Sequence, residues 1–313
     1  MRFYLAPMEG ITTYIYRNAY YKYYGNMDAY YTPFVANRKL KSKELKDVLP
    51  ENNQAQPVIP QILTNRADVF LEIAGQLRDM GYREVNLNLG CPSATVTAKQ
   101  RGAGFLAEPK ELEAFLDTVF EKCPIDISIK TRIGVESYFE WEDLLAMYQR
   151  FPIKELIIHA RLLIDYYNGE PNMEAFRMAQ QMLSCPLCYN GEIRDEDSFK
   201  HLLKECPDTQ AVMLGRGAIA NPLLAGSLRS LDENANITTD DVTFSVFHDQ
   251  LLADYQEVMS GEQPVLYKMK ELWTYWSMQY PMDKKLLKKI RKTQKIAEYK
   301  SIVGNYLVRS KEM

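Results

Sequence analysis

The stretch Asn86-Leu-Asn-Leu-Gly-Cys-Pro-Ser-Ala-Thr-Val-Thr-Ala-Lys-Gln-Arg-Gly-Ala-Gly104 decides the fold, because a strand ends within it and a loop begins. From Glu84 to Leu89 polar and apolar residues alternate, which predicts a β-strand with its apolar residues on one face. The strand stops at Gly90-Cys-Pro92, since glycine permits unusual backbone angles and proline cannot donate a hydrogen bond to a sheet. This turn places a cysteine thiol at the C-terminal end of the strand.

The loop after this turn is basic and contains two glycines. Lys99 and Arg101 follow Cys91, and Gly102 and Gly104 allow the backbone to approach a neighbouring group closely. A thiol at a strand end, followed by basic residues, is typical of a site where an acid group meets an anionic substrate. Cys91 by itself is more often an inert, small hydrophobic residue, so its role depends on the rest of the chain.

Strand-like and helical segments alternate along the first two-thirds of the chain. Eight strands with helical crossovers over about 220 residues favour an α/β fold, a closed (β/α)8 TIM barrel. The predicted strands are Phe3–Ala6, Asp28–Tyr31, Val58–Leu63, Glu84–Asn88, Asp126–Lys130, Glu155–His159, Pro186–Asn190 and Ala211–Leu214. The predicted helices are Thr12–Tyr24, Arg66–Met80, Pro109–Lys122, Trp141–Arg150, Met173–Leu183 and Asp195–Lys204.

An open, doubly wound sheet is the main alternative to the barrel. Such a sheet usually carries a glycine-rich dinucleotide turn after an early strand, whereas Ala6-Pro-Met-Glu-Gly10 follows the first strand here. The polar segment Lys39–Asn53 is predicted as a loop that can hold a short helix.

The pattern changes after Leu231, where no further strands are predicted. A polar link over Asp232–Asp241 leads to long helices. We therefore predict two domains, a barrel over residues 1–231 and a small, all-helical C-terminal domain over residues 232–313. The predicted helices of the second domain are Val242–Met259, Val265–Gln279 and Lys284–Val303.

The composition is that of a globular protein without a global attraction for nucleic acid. The chain has 313 residues, 46% of them hydrophobic, and a formal net charge of −3. Any RNA is therefore expected to bind through local basic patches. The apolar runs are shorter than the roughly 18 residues of a membrane span. The five cysteines indicate a reducing compartment rather than a disulfide scaffold, so we expect a cytoplasmic protein without a membrane anchor.

Nearly every predicted strand ends in polar residues, and the C-terminal ends of barrel strands meet where active sites lie. Single members have plain structural explanations, such as an ion-paired lysine or a buried histidine. Together they predict a pocket for a phosphorylated, planar cofactor, in which a lysine stabilises negative charge on an electron-poor ring such as a flavin. These residues are Glu9, Gln61, Asn88, Cys91, Lys130, Arg132, His159, Arg161, Asn190, Glu192 and Arg216.

The eighth strand end predicts where a phosphate binds. Gly215-Arg-Gly217 precedes a short helix, and glycines at this place in a barrel form a phosphate site from backbone N–H groups. The turn Asn190-Gly191 is predicted to contribute to the same site.

Cys185-Pro-Leu-Cys188 has the spacing of a redox or metal-binding pair. No second pair accompanies it, and side chains three residues apart in a strand face opposite ways, so we interpret the pair as structural. With three histidines in all and no clustered carboxylates, we predict no metal site.

Seven segments resemble the tRNA-dihydrouridine synthase family, in the order in which that family has them. Asn86-Leu-Asn-Leu-Gly-Cys-Pro-Ser93, with the downstream Gly102-Ala-Gly104, is the most specific. The resemblance covers about residues 3–222, and the C-terminal third resembles the family only in being helical. The other segments are Ala6-Pro-Met-Glu-Gly10, Pro60-Gln-Ile62, Ile129-Lys-Thr-Arg132, Ile158-His-Ala-Arg161, Tyr189-Asn-Gly-Glu-Ile193 and Met213-Leu-Gly-Arg-Gly-Ala218.

The resemblance implies an FMN-binding barrel followed by a helical domain that grips tRNA. It implies that FMN, reduced by NADPH or alternatively NADH, delivers hydride from N5 to C6 of a uracil, while Cys91 protonates C5. The residues implied to bind FMN are Pro7, Met8, Gln61, Lys130, His159, Asn190, Gly191, Glu192, Gly215 and Arg216. Those implied to meet the RNA or its target base are Asn88, Lys99, Arg101 and Arg161.

One segment departs from the family. After His159 the chain reads Ala-Arg-Leu-Leu-Ile-Asp-Tyr-Tyr-Asn-Gly, where the family usually has Gly-Arg-Thr before its Tyr-x-Gly.

The C-terminal tail carries eight basic residues and a single acid between Lys284 and Lys300. The bases recur at helical spacing with leucines and isoleucines between them, which predicts a helix with one packed face and one basic face. A solvated face without a ligand is the alternative. Phosphate binding by such a face is salt-sensitive, and we predict that Lys288 and Lys292 contact tRNA.

Three other functions are weighed against this hypothesis. A flavin barrel that reduces a small free pyrimidine, similar to dihydroorotate dehydrogenases, has no use for the basic tail. A non-catalytic RNA-binding protein has no use for Cys91 and Lys130. A Schiff-base aldolase that uses Lys130 is excluded if a flavin binds. The sequence leaves open which uridine and which tRNAs are substrates, and the oligomeric state.

Overall fold

The structure, a computed structural model, describes residues 1–54, 57–233, 241–280 and 282–310. Eight parallel strands close into a barrel, in which neighbours in the sequence pair with each other and the last strand pairs with the first. The predicted (β/α)8 barrel is confirmed, and the open sheet is excluded. The strands are β1 (Arg2–Leu5), β2 (Ala29–Val35), β3 (Val58–Ile62), β4 (Glu84–Leu89), β5 (Asp126–Arg132), β6 (Leu156–His159), β7 (Leu187–Asn190) and β8 (Ala211–Leu214).

Helices connect the strands and continue after the last one. The helices up to β8 are α1 (Tyr14–Tyr23), α2 (Ser42–Val48), α3 (Ala67–Asp79), α4 (Ala94–Thr97), α5 (Pro109–Lys122), α6 (Glu140–Tyr148), α7 (Met173–Met182) and α8 (Glu196–Glu205). After β8 follow α9 (Arg216–Ala220), α10 (Leu224–Glu233), α11 (Asp241–Val258), α12 (Glu262–Gln279), α13 (Lys284–Lys292) and α14 (Ile296–Ser310). Short 3₁₀ helices cover Pro50–Asn52 and Gly102–Ala107. In the described ranges, every helix lacks the length or the apolar character that crossing a membrane requires.

β4 shows why this sequence makes a barrel strand with two different faces. Val85, Leu87 and Leu89 are fully buried, and each such side chain stabilises the fold by about 1.5–3 kcal/mol. Asn86 and Asn88 alternate with them and are also buried, yet both form side-chain hydrogen bonds. Buried amides are tolerated when they are hydrogen-bonded, so the polar face of β4 does not destabilise the barrel.

The predicted strands and barrel helices end within two residues of the observed ones, with one exception. β2 continues from Tyr31 to Val35 after a register shift between Tyr31 and Phe34. Proline inside a run weakens the prediction of a strand, but it is tolerated at such an irregularity. β5 continues two residues past Lys130, so this lysine lies inside the strand and Arg132 ends it. The short helix predicted within residues 39–53 is present as α2.

The chain divides into two compact units. The first comprises residues 1–14 and 27–215 and contains the barrel, and the second comprises residues 15–26 and 216–313 and is helical. The predicted domain boundary at residue 231 falls within α10. The predicted polar link over 232–241 lies largely outside the described residues.

The prediction of one helix over Lys284–Val303 is wrong, because the chain forms α13 and α14 there. The break lies at Thr293, which is fully buried. Its hydroxyl donates to the carbonyl oxygen of Ile290 at 2.8 Å, and its own carbonyl accepts from Lys270 Nζ. A threonine that bonds to the preceding turn offers the backbone an alternative to helix continuation.

Aromatic rings form the core of the helical unit. The ring of Phe247 lies edge-on to the rings of Tyr16, Tyr24 and Trp276, at centroid distances of 5.7, 5.1 and 6.2 Å. Aromatic pairs of this geometry add about 0.5–1.5 kcal/mol each beyond the area that they bury. Tyrosines that are frequent near the start of the chain therefore serve packing in α1.

Candidate active site

Five polar side chains come together at the C-terminal ends of the barrel strands, here called the barrel rim. Asn88 pairs with Lys130 across β4 and β5, and His159 pairs with Asn190 across β6 and β7. Gln61 on β3 joins them, because Asn88 Nδ2 donates to Gln61 Oε1 at 2.7 Å. Alternate residues of a strand face the same side, so the register of the barrel aligns these side chains.

A row of buried amides runs across three strands below the barrel rim. Gln61 Nε2 donates to Asn86 Oδ1 at 2.7 Å, and Asn86 Nδ2 donates to Ser128 Oγ at 3.0 Å. This row fixes the orientation of Gln61. Sequence reasoning missed Asn86, although its spacing of two residues from Asn88 places both on the same face of β4.

The turn Gly90-Cys-Pro92, here called the Cys91 turn, is attached to the barrel through Asn88. Asn88 Oδ1 accepts from the backbone N–H of Gly90 at 3.0 Å and from that of Cys91 at 2.9 Å. The thiol is partly buried, and burial raises the pKa of Cys91, while nearby positive charges oppose this shift without reversing it. At neutral pH the thiol therefore keeps its proton.

Gly102 and Gly104 pack against the segment that begins at Cys91. Gly102 has a φ of +56°, and a Cβ there would lie 2.8 Å from the carbonyl oxygen of Cys91. A Cβ on Gly104 would lie 2.8 Å from the Cα of Thr97. The backbone N–H of Ala103 donates to the same Cys91 carbonyl at 3.1 Å. The group that the glycines approach closely is thus the Cys91 turn and the short helix after it.

Lys130 is the most unusual charge of the site. Part of its surface is accessible to solvent, yet protein surrounds the ammonium group, and burial lowers the pKa of Lys130 to about 8, with a further contribution from the charge of Arg132. Within the described residues, the ammonium group of Lys130 has neither an ion pair nor a hydrogen bond. A lysine in such surroundings suits a negatively charged or electron-rich partner.

The loop after β1 brings Met8 to the end of β8. The hydroxyl of Thr12 accepts from the backbone N–H of Met8 at 2.8 Å, which fixes the loop that also contains Pro7. A Cβ on Gly215 would lie 3.9 Å from the sulfur of Met8 and 3.6 Å from the Cβ of Ala6. Gly215 is partly exposed, so its backbone is accessible beside Met8.

The turn after β7 depends on the side chain of Asn190 and on the absence of a side chain at Gly191. Asn190 Nδ2 donates to the carbonyl oxygen of Met213 at 2.9 Å, which ties β7 to β8. A Cβ on Gly191 would lie 2.3 Å from Tyr189 Oη, so any other residue requires the ring to move. Glu192 forms ion pairs with Arg194 and, at 3.5 Å, with Arg161.

Arg161, which the resemblance assigns to the RNA or its target base, is buried and hydrogen-bonded to neighbouring groups of the protein. Its Nη1 lies 2.9 Å from His159 Nε2, and its Nη2 donates to the carbonyl oxygen of Gly169 at 2.7 Å. The arginine thereby orients His159 and the loop after β6 at once.

Arg132 is one of the polar strand-end residues that predicted the pocket, but it received no specific binding role there. It ends β5, is fully buried and donates to three backbone carbonyls. Its spacing of two residues from Lys130 places the two side chains on one face of β5.

The remaining predicted residues lie outside this cluster or in the second unit. Lys99 is exposed, and Arg101 is half-buried in the loop that leads to Gly102. Arg216 begins α9, and Lys288 and Lys292 are exposed on α13. These three residues belong to the helical unit, so their roles stay predictions.

The two cysteines of the Cys185-Pro-Leu-Cys188 pair are not joined by a disulfide. Cys188 is buried in β7, Cys185 lies before the strand, and both are free, as are the other three cysteines. In the described ranges, no group of three or more histidine, cysteine or acidic side chains could hold a metal ion.

Solved structures share the fold of this chain at low sequence identity. Histamine dehydrogenase from Rhizobium sp. 4-9 matches with a TM-score of 0.55 and 11% identity, over 74% of this chain and 46% of that one. A morphinone reductase mutant in complex with tetrahydroNAD matches with a TM-score of 0.51 and 13% identity, over 78% of this chain and 90% of that one. At such identities the likeness concerns the fold alone.

Sequence relatives cover most of the chain. A probable tRNA-dihydrouridine synthase 1 of Synechocystis sp. is 25% identical over 283 residues, 86% of this chain and 76% of that protein. A tRNA-dihydrouridine(16) synthase of Shewanella oneidensis is 28% identical over 306 residues, 93% of each. The family model of dihydrouridine synthase (Dus) matches residues 4–304. Because this match spans nearly the whole chain, the protein belongs to the dihydrouridine synthase family of flavin-dependent oxidoreductases.

Proposed function

We propose that this protein reduces the C5=C6 bond of a uridine in tRNA to dihydrouridine, with FMN bound at the barrel rim and NADPH as the reductant. The observation that carries the proposal is Lys130, a buried cation without a partner in the described chain, close to the protonated thiol of Cys91. Reduction of a ring needs a group that stabilises negative charge and a group that donates a proton. The names of the sequence relatives support tRNA as the substrate.

The residues at the barrel rim fit a phosphorylated flavin. Lys130 offers an unpaired positive charge, and the accessible backbone of Gly215 offers a place for a phosphate beside Met8. When bound, FMN supplies the hydride that C6 of the uracil receives. We assign its binding to Pro7, Met8, Gln61, Lys130, His159, Asn190, Gly191, Glu192, Gly215 and Arg216.

Cys91 acts in this proposal as the general acid. Burial raises the pKa of its thiol, so that the proton is present at neutral pH and available for C5 of the uracil. Asn88 and Gly102 hold the Cys91 turn from two sides, which limits the positions that the sulfur can take.

Lys130 stabilises negative charge with its Nζ. Because its pKa of about 8 still lies above neutral pH, the ammonium form predominates under physiological conditions. The hydrogen bond from Gln61 Nε2 to Asn86 Oδ1 fixes the orientation of the Gln61 side chain, which is a further hydrogen-bonding group of the site.

The target uridine must leave its stack to reach the barrel rim. We propose that the buried side chains Asn88 and Arg161 shape the pocket for this base, and that the exposed Lys99, with Arg101, meets the RNA backbone. The basic residues of α13, including Lys288 and Lys292, bind phosphates further away. In this proposal residues 1–231 carry catalysis, and residues 232–313 grip tRNA.

Uridine 16 is the position that we propose to examine first. Relatives from Shewanella oneidensis and Aquipseudomonas alcaligenes, both named tRNA-dihydrouridine(16) synthase, match 93% and 94% of this chain. Substrate tRNA and free thiols together favour the cytoplasm as the place of the reaction.

The test is a flavin reoxidation experiment under anaerobic conditions. The purified protein is reduced with NADPH, excess reductant is removed, and tRNA without dihydrouridine is added, with fully modified tRNA as the control. Fast reoxidation with the unmodified tRNA alone is expected, and sequencing of the product then maps the uridine.

Two results would contradict the proposal. Equal reoxidation with both tRNAs, with flavin present, would favour a small free pyrimidine as the acceptor, in the manner of dihydroorotate dehydrogenases. A purified protein that binds no flavin would refute the assignment of the barrel rim.

A further inference from the structure

Arg132 connects two segments that the barrel holds apart. Its guanidinium is fully buried, and its Nε donates to the carbonyl oxygen of Gly90 in the Cys91 turn at 3.0 Å. Its Nη1 donates to Leu162 and its Nη2 to Tyr166, both carbonyl oxygens, at 2.7 and 2.6 Å. The last two residues lie in the loop Leu162–Gly169, here called the β6 loop. Only the planar fork of arginine presents donors in three fixed directions.

The β6 loop needs such an anchor. Tyr166 has a φ of +51°, a conformation that bulky residues rarely adopt and that persists only where the surroundings hold it. Arg132 binds the carbonyl of this residue. The ring centroid of the next residue, Tyr167, lies 5.5 Å from the guanidinium carbon of Arg132 and 6.1 Å from the ring centroid of His159.

The Cys91 turn is anchored at both backbone groups of Gly90 and both backbone groups of Cys91. Asn88 accepts from the N–H groups of Gly90 and Cys91, and the N–H of Ala103 occupies the carbonyl of Cys91. Arg132 Nε donates to the carbonyl oxygen of Gly90. Without Arg132 this buried carbonyl loses its donor, and the turn loses its link to the β6 loop.

Arg161 provides a comparison within the same site. It is equally buried, and it also donates to carbonyl oxygens of the β6 loop, those of Asn168 and Gly169. Its other contacts are to His159 and Glu192. Arg161 therefore supports the β6 loop from the side of β6, whereas Arg132 joins that loop to the Cys91 turn.

We propose that Arg132 is a positioning residue, which holds the Cys91 turn and the β6 loop in one fixed relation so that the thiol faces the target base. The identity of that base rests on the proposed function, and the connection between the two segments rests on the geometry. Proton donation depends steeply on the position of the donor, so a loose turn lowers turnover even where the substrate still binds.

Three variants separate position from charge. Arg132→Lys keeps a positive charge and loses the fork, Arg132→Met loses both, and Arg161→Lys is the control for a buried arginine on the β6 loop. For Arg132→Lys and Arg132→Met we expect kcat for dihydrouridine formation to fall about 100-fold. The flavin content is expected to stay at the wild-type level and the tRNA KM to stay within about threefold, as for an interaction that acts on the transition state.

The second readout is independent of turnover. The rate of Cys91 alkylation by iodoacetamide is followed against pH by peptide mass spectrometry. The plateau rate at high pH reports access to the sulfur, and the midpoint reports the charges around it, which are Lys130, Arg132 and Glu9. We expect the plateau to rise in both Arg132 variants, the midpoint to rise only in Arg132→Met, and Arg161→Lys to change neither.

Several results would overturn the proposal. Wild-type kcat in a folded Arg132 variant would show that the link is dispensable, and an unchanged alkylation plateau would show that the turn is held without it. If the plateau rate of Cys91 alkylation rises equally in Arg161→Lys, the effect is that of disturbing any buried arginine of the site and is not specific to Arg132. If Arg132→Met does not fold, Arg132→Lys decides. If the wild-type protein forms no dihydrouridine, the proposed function fails, and the alkylation profiles still test the positioning of Cys91.

Discussion

Cys91 is the residue on which the proposed chemistry depends most directly. Burial raises the pKa of its thiol, so removal of the sulfur removes the proton for C5 and leaves the flavin-binding groups in place. For Cys91→Ala we expect wild-type flavin content and NADPH oxidation, with dihydrouridine formation reduced by about 10²–10⁴-fold. Single-turnover assays with unmodified tRNA measure this difference.

Cys123→Ala is the matched control, since this thiol is also half-buried but lies at the end of α5. Full activity of Cys91→Ala would contradict the assignment of the proton donor.

Gly102 is the second residue whose replacement is informative. Its φ is +56°, and a Cβ there would lie only 2.8 Å from the Cys91 carbonyl oxygen, so alanine strains the backbone and displaces the Cys91 turn. We expect Gly102→Ala to lower the free energy of unfolding by about 1–3 kcal/mol. Urea denaturation measures the change.

Gly75 provides the opposite case inside α3. Nothing lies within 4 Å of a Cβ at that position, so alanine is expected to stabilise the helix by about 0.5–1 kcal/mol. Equal effects of Gly75→Ala and Gly102→Ala would show that the close approach at Gly102 has no energetic consequence.

Lys130 gives a prediction about pH. Burial lowers its pKa to about 8 in the folded protein, and the unfolded chain keeps the proton until about pH 10.5. The cost of the buried charge is therefore full below pH 8 and is relieved as the pH rises from 8 to 10.5. In flavin-free protein, the stability of Lys130→Met relative to wild type is expected to be greatest below pH 8 and to decline above it.

Urea denaturation of both proteins at several pH values between 7 and 10 measures this difference. Its dependence on pH is the informative quantity, because the packing of the methionine adds a constant. A constant difference over that range would show that the ammonium group is not desolvated.

At the scale of elements, α13 is the clearest candidate for an RNA contact. Its basic side chains are exposed, whereas Ile290 is fully buried and Leu286 and Leu287 are half-buried. We expect Lys288→Glu/Lys292→Glu to raise the tRNA KM about tenfold. The slope of the logarithm of the tRNA binding constant against the logarithm of the salt concentration is expected to fall in magnitude by about two. Flavin content is expected to be unchanged.

A double charge reversal on the exposed side of α5, Lys110→Glu/Lys122→Glu, alters the net charge by the same amount. Comparable KM values for the two double variants would mean that only the overall charge matters. An unchanged KM in the α13 variant would place the RNA elsewhere.

The helices after β8 also show that the spacing of apolar residues does not reveal every helix end. The apolar spacing across 284–303 is continuous, so it predicts one helix. The break at Thr293 depends on contacts from Ile290 and Lys270, and the second of these is distant in sequence. A tertiary contact of this kind has no local signature.

For the whole molecule, the barrel could be predicted because its signals are local. Each strand end carries its own turn residues, and alternation along β4 assigns one face to the core and one to the site. Eight such units leave few topologies open. The end of β2 could not be predicted, because its register shift is set by the pairing with β3.

Part of the candidate site could be predicted for the same reason, namely that its signals are local. Gln61, Asn88, Lys130, His159 and Asn190 meet at the barrel rim, since parallel register brings corresponding strand ends together. The bridge made by Arg132 was not predictable, because its three acceptors are backbone carbonyls, which any sequence supplies. Which carbonyls face an arginine is a property of the folded loops alone.

The helical unit is built from two parts of the chain that are far apart in sequence, and this has a consequence for synthesis on the ribosome. Residues 15–26 belong to a unit whose other part begins at residue 216. Tyr16 and Tyr24 pack on Phe247, so these rings leave the ribosome on the order of 200 residues before their partner does. At about 5–20 residues per second, the nascent chain carries an uncovered aromatic helix for roughly 10–40 s. Chaperones that bind exposed rings therefore have time to bind α1 before Phe247 is synthesised.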